Sequence, residues 1–83
     1  MTPHAWTLVR EAVTAGWSAT IRPGPGMLRV TCADDRHTRQ VYAEWAHNTG
    51  VGWRLTAVSY TDTAGVHAVR YRDLLAVLRD GVS

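Results

Sequence analysis

The sequence predicts an α+β fold, a two-layer sandwich in which a helix, a four- or five-stranded antiparallel meander and a second helix follow in that order. Both helices are expected on one face of the sheet. Three observations carry this. The first and last segments repeat apolar residues at helical spacing, everything between them alternates apolar and polar residues with period two, and short turn segments join those alternating runs.

Residues 2 to 15 read as the first helix. Thr2 is placed to cap it, Pro3 suits its first turn, and Gly16 is placed to end it. Ala5, Leu8, Val9, Ala12 and Val13 share one stripe, flanked by Trp6, and His4, Thr7, Glu11 and Thr14 share another. Trp17 to Arg22 then alternates, with Trp17, Ala19 and Ile21 on one face and Ser18, Thr20 and Arg22 on the other. Leu28, Val30 and Cys32 repeat the pattern against Arg29 and Thr31, so two strands flank the segment RPGPG.

That segment invites comparison with a phosphate-cradling loop. Such a loop aims several backbone N–H groups at one anion and leads into a helix whose dipole adds to the field. Here Pro23 and Pro25 each remove a donor, and the residues after Gly26 have period two. RPGPG therefore reads as a hairpin turn.

Ala33 to Thr38 (ADDRHT) forms the next turn. Val41, Ala43 and Trp45 alternate with Gln40, Tyr42 and Glu44 in a third strand, and His47 to Gly52 turns the chain again. The fourth strand runs from Trp53 to about Tyr60, with Trp53, Leu55 and Ala57 on one face and Arg54, Thr56, Val58 and Tyr60 on the other. After the turn Thr61 to Gly65, Val66 to Val69 reads either as a short fifth strand or as the approach to the last helix. That helix has Tyr71, Leu74, Leu75 and Leu78 at i, i+3, i+4 and i+7, with Gly81 at its end. Trp17, Trp45, Trp53, Leu28, Val30 and Val41 are the expected core.

An 83-residue chain with no repeat, linker or low-complexity segment is expected to form a single domain over residues 1–83. This length leaves little room for the deep cleft of a cofactor enzyme, and no cofactor is expected. Hydrophobic residues make up 46%, which excludes disorder, and no apolar run approaches the length of a membrane helix. No membrane partner is expected. The single cysteine and the absence of a signal-peptide pattern point to the cytoplasm. All nine basic residues are arginine, and Phe is absent. GC-rich coding produces that bias, which suggests a high-GC bacterium such as an actinobacterium, or its phage. Net charge is +2, which permits an acidic partner without forming a dense basic stripe.

The predicted layout leaves one sheet face open, bearing Ser18, Thr20, Arg22, Arg29, Thr31, Tyr42, Glu44, Arg54, Thr56, Val58 and Tyr60. Arginine forks and tyrosine rings on a flat sheet suit phosphates and bases, as in sheets that bind single strands. They are also ordinary residues for a wet strand face. Arg22, Arg29, Arg54, Tyr42 and Tyr60 are the candidate contact residues for nucleic acid. With Val58, the same face is an alternative protein or homodimer interface.

Other constellations point elsewhere. His4, His37, His47 and His67 have no recognisable ligand spacing, and no metal site is expected. Asp34, Asp35 and His37 share one turn, where Asp commonly satisfies backbone N–H groups rather than acting as a base. Cys32 lies on the core side of its strand as a small hydrophobe. Arg70, Arg72 and Arg79, interleaved with Asp73 and Asp80, read as the solvated side of the last helix. No nucleophile-elbow pattern is present, so a non-enzymatic binding module is expected, with a small ribonuclease-like or other enzyme ranking third.

The order helix, three antiparallel strands, helix resembles the double-stranded RNA-binding fold. The opening LVREAVTAGWSATI is similar to the helix and first strand of HicA-type toxins, which share that fold. The resemblance implies an RNA-binding helix start rich in lysine, but Val69-Arg70-Tyr71-Arg72-Asp73 has none. Where the toxins carry a histidine after Gly-Ser, this chain has Leu28-Arg29-Val30-Thr31-Cys32, so ribonuclease activity does not carry over.

Overall fold

In a computed structural model that describes residues 3–36 and 38–80, the chain runs α1 (Pro3–Thr14), β1 (Ser18–Gly24), β2 (Met27–Ala33), β3 (Gln40–Asn48), β4 (Gly52–Asp62), β5 (Gly65–Ala68) and α2 (Tyr71–Asp80). The caps expected at Thr2 and Gly81, and the role considered for His37, lie outside the described residues. The strands form one antiparallel meander in the order β1-β2-β3-β4-β5. Gly65–Ala68 is thus a fifth strand, and the sheet has two strands more than the double-stranded RNA-binding order.

The C-terminus of α1 is set by Gly16, whose φ of 86° is costly for any residue with a Cβ. The Gly16 N–H donates to the Val13 carbonyl (3.1 Å) and the Trp17 N–H to the Ala12 carbonyl (2.9 Å), the paired bonds of a Schellman motif. Its apolar component is also present, because Trp17 and Ala12 are both buried in the core. The β1–β2 hairpin closes through Pro25 and Gly26 between the paired residues Gly24 and Met27. Proline pre-sets φ at the first turn position, and Gly26 supplies the positive φ of 66° at the second. RPGPG is a turn, as its prolines require. At the start of α2, the Arg70 N–H donates to the Asp73 carboxylate at 3.1 Å, the back-reaching half of a capping box.

Ala5, Leu8 and Ala12 of α1 and Leu74 and Leu78 of α2 are buried against Leu28, Val30 and Cys32 of β2 and Val41, Ala43 and Trp45 of β3. Trp17 closes one end of this core. The buried stripe of α1 is narrower than its sequence pattern: Val9 is only partly buried and Val13 is exposed. Across the helices, Arg79 of α2 donates to Glu11 of α1 at 2.9 Å, and the Tyr71 hydroxyl donates to the His4 carbonyl.

The expected faces of β4 need correction, and the cause is a bulge. Trp45 pairs with Leu55 but Glu44 pairs with Ala57, so Thr56 is an extra residue opposite the Glu44/Trp45 step. Alternation restarts after it. Arg54 keeps its place on the open face, opposite Ala46. Val58 and Tyr60, expected there too, instead pair with the buried Ala43 and Val41 and pack against the core on the helix side. Ala57 and Ser59 take their places on the open face, opposite Glu44 and Tyr42.

Trp53 is also corrected. It lies on the helix side but is 39% exposed, with Leu55 similarly open. The helix layer reaches Trp45, which meets the Tyr71 ring edge-on at 6.0 Å. The His47–Trp53 pair lies one step further along the hairpin, and those two rings meet each other at 5.2 Å.

Candidate binding face

The charged and polar residues of the uncovered face come from the first four strands, and β5 adds the exposed Val66 and Ala68, opposite Thr61 and Ser59. Arg22 of β1 lies directly opposite Arg29 of β2, which in turn lies opposite Glu44 of β3. Two like charges at a facing antiparallel position repel each other. Arg29 is partly compensated, since its Nε donates to Glu44 Oε1 at 3.3 Å.

Glu44 organises the middle of the face. The Tyr42 hydroxyl donates to Oε1 at 2.6 Å, and the bulge residue Thr56 donates to Oε2 at 3.1 Å. The Tyr42 and Thr56 hydroxyls, followed by Arg29, hold the Glu44 carboxyl below its ordinary pKa despite partial desolvation. Desolvation and the hydrogen bond to Glu44 push the Tyr42 phenol up. Tyr42 is therefore a fixed neutral group next to an ionised carboxylate. At the far end of the hairpin, Arg54 is exposed opposite the small Ala46.

Four of the five candidate residues, Arg22, Arg29, Arg54 and Tyr42, share this face. Tyr60 does not: the bulge turns it to the helix side, where it stacks on His67 of β5 with ring centres 5.8 Å apart. The residue that sequence reasoning left out of the candidate set is Glu44. Its i, i+2 spacing from Tyr42 placed both on one face, but its contact with Arg29 depends on cross-strand register.

A groove of about 370 Å³ opens beside the β1–β2 turn, lined by Arg22, Pro23, Gly24, Pro25, Met27 and Arg29. The turn itself is no phosphate cradle, yet it lies beside two guanidinium groups.

The Asp34 turn does a different job. Asp34 is buried, and its carboxylate accepts from the Thr38 N–H (2.9 Å), the Thr38 hydroxyl (2.9 Å), the Arg39 N–H (3.2 Å) and Arg39 Nε (3.1 Å). Desolvation raises its pKa, but these bonds outweigh it and hold the group at about 2. The Arg39 guanidinium also lies 5.1 Å from the Trp17 ring centre, so the turn is tied to the core. A carboxylate engaged four times over serves as a loop fastener, not a base. Burial pushes the Cys32 thiol up to about 11, which leaves little thiolate for nucleophilic chemistry.

Among the described residues, no group of three His, Cys, Asp or Glu side chains is placed to hold a metal ion, and no helix is long and apolar enough to cross a membrane. The chain matches no family model, no curated protein and no solved structure with which it was compared.

Proposed function

We propose that this protein is a non-enzymatic binding module whose open sheet face takes single-stranded nucleic acid, within the cytoplasm of a high-GC bacterium or its phage. The observation that carries the reading is the direct opposition of Arg22 and Arg29, with Arg54 on the same face and Glu44 as the nearby countercharge. Facing arginines cost free energy in the unliganded sheet, and an anionic ligand between them removes that cost. Nucleic acid is favoured over a protein partner or second copy because Val58 and Tyr60, the apolar pair on which such an interface would centre, lie on the helix side.

Fluorescence anisotropy with a labelled single-stranded oligonucleotide tests this. Contacts from three arginines predict a fall in affinity of about 20-fold between about 50 and 200 mM salt. Absence of saturable binding, or binding indifferent to salt, contradicts the proposal. Light scattering on the same sample checks the alternative, for which a dimer insensitive to salt is the expected sign.

A further inference from the structure

The groove beside the RPGPG turn deepens the nucleic-acid reading, on which it rests. We infer that this groove is a subsite for one phosphate-bearing nucleotide unit, with Arg22 and Arg29 gripping the phosphate and Pro25 and Met27 covering the sugar or base. The lining divides in that way: two guanidinium groups on facing strands, and the apolar side chains of Pro25 in the turn and Met27 just after it, while Pro23 pairs with the buried Leu28 and borders the groove from the other face. At about 370 Å³ the space lies near the lower end of small-ligand sites, roughly 300–1,000 Å³.

The guanidinium geometry favours phosphate. Arg29 uses its Nε on Glu44, leaving its two terminal nitrogens to meet a ligand, while Arg22 stands exposed across the strand. Planar forks approaching from two strands suit the several oxygens of one phosphate. The apolar residues select against phosphate alone, since a bare anion leaves them uncovered. Pro25 has little conformational freedom to lose when a flat ligand packs on it.

The test is a ¹⁵N NMR titration of the whole chain with adenosine 5′-monophosphate, adenosine and inorganic phosphate, repeated on Arg22→Ala. The nucleotide is expected to move the Gly24, Gly26 and Met27 amides saturably, at least about tenfold more tightly than adenosine or phosphate, and Arg22→Ala to weaken it by about tenfold. Equal binding of adenosine means the arginines are unused, and equal binding of phosphate means the apolar lining is unused. Either result overturns the subsite, as does no movement at the turn up to about 10 mM nucleotide.

A parallel titration with a single-stranded oligonucleotide separates this inference from the wider proposal. Shifts at Arg22, Arg29 and Arg54 without shifts at Gly24, Gly26 and Met27 remove the subsite and keep the face. No oligonucleotide binding removes the face reading, and the mononucleotide arms then decide the groove by themselves.

Discussion

Asp34→Asn tests how the β2–β3 turn is held, and its size follows from the structure. The Asn carbonyl keeps an acceptor for the Thr38 and Arg39 N–H groups, but the variant loses the charge facing Arg39 and places an amide where an oxygen accepts from Thr38 Oγ1 and Arg39 Nε. A carboxyl held at about 2 against an ordinary 3.8 corresponds to about 2 kcal/mol of folding free energy. Loss of a charged hydrogen bond in a buried setting gives a similar figure of about 1.5–3 kcal/mol. The turn lies at the end of the sheet near water, so the lower part of that range is expected, about 2 kcal/mol.

The folded-state pKa is depressed. The stabilisation is therefore fully present above about pH 4 and is lost as pH falls through about 2. Urea unfolding at pH 7 should show a lower midpoint for Asp34→Asn with an unchanged slope, and the gap from the parent protein should shrink toward pH 2. Equal midpoints at pH 7, or a gap that does not change with pH, would mean that the Asp34 carboxylate does not hold the turn.

Three further outcomes follow from the same geometry. Tyr60→Ala should cost about 1–2 kcal/mol in a denaturation experiment, because its ring packs on the core side, while leaving oligonucleotide binding within about twofold. Gly16→Ala should lower stability by about 1 kcal/mol in urea unfolding: a Cβ there meets nothing within 4 Å, but the φ of 86° is strained for alanine. Cys32, buried with its thiol pushed up to about 11, should react with a thiol reagent at pH 8 only at the rate at which the protein opens.

What the sequence made legible was whatever depends on local chemistry. The Schellman end at Gly16 and Trp17, the Pro25-Gly26 turn and the Leu74/Leu78 stripe are each written within a few neighbouring residues. The faces of β1, β2 and β3 followed from simple alternation. β4 broke the rule at one residue, and the signal lay in its own pattern: Trp53 and Leu55 keep one phase, Val58 and Tyr60 the other, with Thr56 and Ala57 at the break. A single period applied across that break put Tyr60 on the wrong face. Trp53 was misplaced for another reason, since how far the helix layer extends along a hairpin is a tertiary fact. Glu44's role also depended on register, which set Arg29 opposite it while Thr56 bulged toward its other oxygen.

The proposed contact between arginines of the open face and phosphates is read out by the salt dependence of binding. The slope of log K against log salt for a single-stranded oligonucleotide should be about −2 for the parent protein, or roughly −0.7 for each of three arginine contacts. For the Arg22→Ala, Arg54→Ala double variant it should fall to about −0.7, with weaker binding at low salt. An unchanged slope in the double variant would place the phosphate contacts elsewhere on the molecule and rule out the arginine face as the binding site.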